Sequence, residues 1–148
     1  MQQLALRSMV FDPPQFSGRV LLVEDNAINQ LVASEMLQAL GVEVVVAGDG
    51  AEALEELATQ RFDLVLMDCM MPRLDGYETA RRWRAQEEKA SGRRIPIAAL
   101  TANSAPTDRS RCFESGMDDH LAKPLVWSPL IDLLRRFLPA ERDSTVSG

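Results

Sequence analysis

Short apolar runs recur along this chain, at Arg19 to Val23, Val42 to Ala47, Leu64 to Met67, Ile95 to Leu100 and, more briefly, His120 to Ala122. Apolar residues on both faces suit interior strands of a parallel sheet covered by helices on each side. Between the runs the apolar spacing changes to that of a helix. Ile28, Leu31, Val32, Met36 and Leu40 predict one helical face that stops at Gly41, and Leu54, Leu57 and Ala58 predict a second helix. Tyr77, Ala80 and Trp83 predict a third, whose other side carries Arg81, Arg82 and a charged run through Lys89. A more polar helix follows from about Pro106 to Ser115, and Trp127, Leu130, Ile131, Leu134, Phe137 and Leu138 predict a strongly amphipathic last one. Gly48-Asp49-Gly50, Met71-Pro72, Asp75-Gly76, Ser91-Gly92 and Gly116 mark the turns.

Strict alternation of strand and helix argues for an α/β fold with a parallel sheet covered on both faces. With right-handed connections the natural solution is a doubly wound five-stranded sheet of flavodoxin-like order 2-1-3-4-5, with the first and third strands side by side at the switch point. The domain is expected to span residues 19–138. Residues 1–18, with Pro13-Pro14 and Ser17-Gly18, show no sustained period and predict a linker or loosely docked arm. Residues 139–148 predict a polar, disordered tail.

Composition narrows the function classes. A chain of 148 residues with 46% apolar content fits one domain with a single core. No apolar run approaches the roughly 20 residues that cross a bilayer, and the first residues lack a secretory pattern, so the expected location is cytoplasmic with no membrane contact. A net charge of -6 and a pI near 4.8 oppose direct nucleic-acid binding. Cys69 and Cys112 lie in no metal-ligand spacing and read as free thiols, and one histidine cannot build a His-based zinc site.

The chemistry collects where strands end. Glu24-Asp25 ends the first strand, Asp68 the third, Thr101 follows the fourth and Lys123-Pro124 the fifth. Taken singly each has an ordinary use: Asp25 or Asn26 as a helix cap, Asp68 as a turn former, Lys123-Pro124 as a turn. In a parallel sheet of this order the carboxyl ends of the strands form the ligand site, so Glu24, Asp25 and Asp68 would converge there. Packed carboxylates repel one another, and a hard divalent cation relieves the repulsion.

The acidic pair Glu24-Asp25, the D-x-x-M-P-x-x-D-G loop from Asp68 to Gly76, Thr101 and Lys123-Pro124, in that order, resemble the receiver domain of bacterial two-component response regulators. The segments VEDNAINQ and MDCMMPRLDGYETA resemble most the receivers attached to hybrid sensor histidine kinases. The resemblance implies that Asp68 accepts a phosphoryl group from a histidine kinase or histidine phosphotransfer domain. It implies Mg2+ held by Asp25, Asp68 and the Met70 carbonyl, with Glu24 acting through a water. Lys123 and Thr101 would contact the phosphoryl oxygens, and Thr101 with His120 would form the switch, although tyrosine or phenylalanine is commoner than histidine there. Met70 and Asn103 would flank the approach of hydrolytic water and set the lifetime of the phosphorylated state. The Lys123-Pro124 bond would be cis. The protein would be no enzyme beyond its own phosphorylation and dephosphorylation, and a monomer or weak phosphorylation-dependent dimer. Two other readings use the same fold. A magnesium-dependent phosphatase would want an acid two residues after the nucleophile, where Met70 stands. A flavin- or nucleotide-binding domain would want a first loop without Glu24-Asp25.

Overall fold

The computed structural model describes residues 13–71, 74–90, 92–102 and 106–139. The chain alternates strand and helix throughout: β1 (Arg19–Val23), α1 (Ala27–Ala39), β2 (Glu43–Ala47), α2 (Gly50–Thr59), β3 (Leu64–Asp68), α3 (Gly76–Ala90), β4 (Ile97–Thr101), α4 (Pro106–Glu114), β5 (Asp119–Ala122) and α5 (Trp127–Phe137). The strands pair in parallel in the order β2-β1-β3-β4-β5, as expected from the alternation. Among the described residues no helix is long and apolar enough to cross a membrane.

Because successive side chains of a strand point to opposite faces, each interior strand feeds two cores. Leu21, Val23, Val65, Met67, Ile97 and Ala99 pack under α2, α3 and α4, against Leu57, Tyr77, Trp83 and Cys112. Val20, Leu22, Leu64, Leu66, Ala98 and Leu100 pack under α1 and α5, against Leu37, Leu130 and Leu133. All five residues of β3 and of β4 are buried, which explains why these runs show no polar alternation.

Two helical faces differ from the pattern expected of them. In α1 the side chains turned to the sheet are Ala33, Met36 and Leu37, followed by Leu40 at the cap, whereas Ile28, Leu31 and Val32 are exposed. The helix carries two overlapping apolar stripes, and only the one running from Ala33 to Leu40 meets the sheet. In α2 the buried residues are Gly50, Ala53 and Leu57, with Leu54 half-buried and Ala58 exposed.

The arm also docks further than its sequence indicates. Phe16 is 1% exposed and belongs to the core under α1 and α5. Its amide donates to the Leu40 carbonyl at 2.8 Å, and the Gln15 side-chain amide donates to the Ala39 carbonyl at 3.0 Å, so this segment satisfies carbonyls left open at the end of α1. Ser17 donates to the Pro139 carbonyl at 3.2 Å, which brings the two ends of the folded unit together. Residues 1–12 and 140–148, including the expected tail beyond Pro139, lie outside the described residues.

Candidate functional site

The site is built at the carboxyl edge of the sheet, where β1, β3, β4 and β5 end beside one another. Register alone places Val23 opposite Met67, Asp68 opposite Leu100 and Thr101 opposite Ala122, so the residues just after each strand share one edge. Asp68 and Glu24 are buried, 3% and 2% exposed, while Asp25 is exposed. One carboxylate oxygen from each of the three lies within 4.8 Å of the others.

Local structure explains how two like charges are held inside. Asn26, rather than Asp25, caps α1 by accepting from the Asn29 amide at 3.0 Å, so the helix start does not require the Asp25 carboxylate. The Glu24 carboxylate accepts from the Asn26 amide at 3.1 Å and from the Asn29 side chain at 3.5 Å, and the Glu24 carbonyl accepts from Gln30 at 2.6 Å. Asn29 and Gln30 are bracing residues that the apolar pattern of α1 gave no reason to single out. Their signal is a pair of amide side chains one turn after an acidic strand end.

Lys123 supplies the counter-charge. Its ammonium lies 3.2 Å from Asp68 Oδ2 and 3.3 Å from Glu24 Oε1, and its amide donates to the Thr101 carbonyl at 2.9 Å. Burial alone disfavours the ammonium, but the Asp68 and Glu24 carboxylates outweigh it and raise the Lys123 pKa above the ordinary lysine value. The Lys123-Pro124 peptide is cis, as the resemblance implied. Asp68 Oδ1 accepts from the Met70 amide at 3.1 Å, which turns the chain out of β3 and leaves the Met70 side chain 72% exposed.

Behind the acid, the Gly76 amide donates to the Cys69 carbonyl at 3.2 Å. A side chain on Gly76 would collide with the Asp68 carbonyl oxygen, so α3 starts this close to β3 only because position 76 is glycine. Thr101 is buried at the end of β4. His120 is half-buried in β5, its Nδ1 enclosed without a hydrogen-bond partner and 3.9 Å from Asp119 Oδ1. Asp119 in turn pairs with Arg136 of α5 at 2.6 Å. Asn103 lies outside the described residues. The structure therefore brings Glu24, Asp25, Asp68 and Lys123 together, with Thr101 at the same edge.

The profile of the response regulator receiver domain matches residues 20–135. This chain belongs to the response regulator receiver domain family. The chain is 44% identical over 115 residues to hybrid signal transduction histidine kinase K of Dictyostelium discoideum, an alignment that covers 75% of this receiver and 10% of that protein. The receiver spans about a tenth of the length of the curated relatives it matches. Among solved structures it is similar to the receiver domain of sensor histidine kinase PA1611 from Pseudomonas aeruginosa, which has a magnesium ion coordinated in the active site cleft. The identity is 45% and the TM-score 0.73, covering 82% of this chain and 97% of that one. It is also similar to the receiver domain of the histidine kinase CKI1 from Arabidopsis thaliana complexed with Mg2+ and BeF3-, with 36% identity, TM-score 0.70, and coverage of 80% and 88%.

Proposed function

We propose that this receiver accepts a phosphoryl group on Asp68 from the phosphohistidine of a histidine kinase or histidine phosphotransfer domain, in a two-component relay that uses Mg2+. The observation that carries the reading is the convergence of two buried carboxylates and one exposed carboxylate at the sheet edge, with a single ammonium against the two buried ones. The donor set fits the ion: three carboxylates within 4.8 Å are hard oxygen ligands of the kind magnesium takes, and it needs only one or two of them directly. Asp25 and Asp68, with the Met70 carbonyl, would hold it, and Glu24 would act through a water. When bound it would neutralise charge on the phosphoryl oxygens and the acids.

The chain's own residues do the rest. An Asp68 carboxylate oxygen forms the new bond to phosphorus as the bond to the donor imidazole nitrogen breaks, and the electron pair returns to the imidazole. Lys123, already 3.2 Å from Asp68, is placed to balance the incoming charge, because phosphoryl transfer is mostly positioning and electrostatic stabilisation. Thr101 donates its hydroxyl to a phosphoryl oxygen, and that movement with His120 changes the surface read by partners. Met70 cannot orient a water, which favours a long-lived phosphorylated state. The domain catalyses only its own phosphorylation and dephosphorylation. The protein acts in the cytoplasm, as a monomer or weak phosphorylation-dependent dimer.

The exposed stripe on α1 supports a protein donor. Ile28, Leu31 and Val32 are 71%, 61% and 49% exposed, and Val32 lines a cavity of about 140 Å3 with Pro124 and Leu125 that reaches Glu24 and Lys123. An apolar face beside the reactive acid fits the helical surface of a phosphohistidine carrier. The test is intact mass after incubation with acetyl phosphate and magnesium. Wild type should gain one phosphoryl group, and Asp68→Asn or added EDTA should abolish the gain. Equal gain in Asp68→Asn defeats the assignment. Ile28→Asp should slow transfer from a phosphohistidine protein while leaving labelling by acetyl phosphate unchanged.

A further inference from the structure

Every polar group of Glu24 is engaged by the protein itself. Its amide donates to the Ala47 carbonyl at 3.1 Å. Its Oε1 faces the Lys123 ammonium at 3.3 Å, and its Oε2 accepts from the Asn26 amide at 3.1 Å and from the Asn29 side chain at 3.5 Å. Its carbonyl accepts from Gln30 Nε2 at 2.6 Å. Asp25 is the opposite case: it is exposed, so the direction of its carboxylate follows from its backbone.

That backbone is held from α1. The Glu24 carbonyl belongs to the planar peptide that links Glu24 to Asp25, so the Gln30 contact fixes the plane from which the Asp25 Cα springs. Helix geometry makes the reach possible, because side chains lean toward the N-terminus of their helix. Gln30 stands one turn inside α1, its own amide donating to the Asn26 carbonyl at 2.9 Å, and it is half-buried where Ile28, Asn29 and Leu31 are exposed. Glutamine also suits the place chemically. Its amide donates to a carbonyl without bringing a charge, whereas lysine or arginine would set a second cation beside the acids.

We propose that Gln30 is a positioning residue for the metal pocket: its side chain holds the Glu24-Asp25 peptide so that the Asp25 carboxylate points at the place it shares with Asp68. This role rests on the use of magnesium proposed above. One oxygen from each of Glu24, Asp25 and Asp68 lies within 4.8 Å of the others, so the fold itself gathers the acids against their repulsion. Without the Gln30 brace the peptide is free to turn, and that repulsion drives the exposed Asp25 outward. Losing a hydrogen-bond partner of a metal ligand typically weakens metal binding by about 10-fold to 100-fold. Gln30 acts one peptide away from the ligand, and magnesium keeps several of its waters, so the lower end, about tenfold, is expected here.

The test titrates magnesium into the unphosphorylated full chain by isothermal calorimetry, for wild type, Gln30→Met and Gln30→Ala, and follows labelling by acetyl phosphate over the same magnesium range. Methionine keeps the length of the side chain without a donor. Alanine is a better helix former than glutamine, so a weakening shared by both variants cannot come from a frayed helix. Both should bind magnesium about tenfold more weakly, with the half-saturation of labelling shifted by the same factor and the rate at saturating magnesium returning to that of wild type. Ser34→Gly, which weakens α1 away from Glu24, should lower the melting temperature and leave magnesium affinity unchanged. Wild-type affinity in both Gln30 variants overturns the proposal, as does an equal loss in Ser34→Gly. A wild type that binds no magnesium overturns both this role and the metal centre. A wild type that binds magnesium but takes no label on Asp68 defeats the phosphoryl function, and the calorimetry still decides the role of Gln30.

Discussion

Replacing Phe16 by alanine should destabilise the domain heavily while leaving its chemistry intact. The ring is 1% exposed and packs in the core shared with Leu40, Val42 and Leu138, at the end of the sheet opposite Asp68. Truncation removes most of the roughly 150 Å2 that a phenylalanine buries. At about 25 cal/mol per Å2 that is about 3 kcal/mol. An unrelieved cavity would push the loss toward about 5 kcal/mol, but the segment before β1 is able to shift, so we expect the lower figure. For a domain of this size the melting temperature should fall by about 10 to 15 °C. Thermal unfolding followed by circular dichroism measures this, and labelling by acetyl phosphate at about 10 °C, where the variant is still folded, should match wild type. A melting temperature lowered by less than about 3 °C would show that Phe16 contributes little to the core. A labelling defect in the folded variant would show that the two ends of the sheet are coupled.

Four further outcomes follow from the site. Gly76→Ala should displace the loop after β3, because the new Cβ meets the Asp68 carbonyl and lies 3.0 Å from Cys69 Cα; labelling should fall more than tenfold, and a wild-type rate would refute the crowding. Lys123→Met should cost about 2 kcal/mol by leaving two buried carboxylates without their cation, less than for a fully enclosed pair because the Lys123 side chain is 24% exposed, and added magnesium should restore most of the loss in a denaturant titration. Because the folded-state pKa of Lys123 is raised, its contribution is complete below about 10.5 and disappears as pH climbs through the raised value; wild type should therefore lose its advantage over Lys123→Met in that alkaline range, and an advantage that disappears on acidification would contradict the sign. The phosphorylated state should last minutes or longer, as an order-of-magnitude expectation, and Met70→Asn should shorten it, read as loss of phosphate after the donor is removed.

The strands were legible because β3 and β4 are buried on both faces, so their runs are continuous, and because breaker pairs such as Asp75-Gly76 bound them. The acidic cluster was legible because every member sits at the end of a strand or just past it, where topology alone collects residues. Helix orientation was not. The stripe from Ile28 to Val32 and the stripe from Ala33 to Leu40 overlap in one helix, and which of them meets the sheet depends on how the chain leaves β1 through Glu24 and the Asn26 cap. Phe16 was hidden for a different reason, since a single anchor after Pro13-Pro14 has no period to reveal it. Cys69 and Cys112 are far apart in sequence, and that they share one core becomes visible only when α4 is laid beside the loop.

The hydrogen bond from Ser17 to Pro139 makes the folded unit a bead strung through one pole. Whatever chain extends on either side leaves from that pole, while the reactive acid faces the other way across the height of a five-residue strand, roughly 16 Å. A bead held in this manner pivots about its tether with its working face outward. Lengthening a connecting segment at that pole would change how far the acid sweeps, and hence how often it meets a donor, without touching a single contact inside the domain.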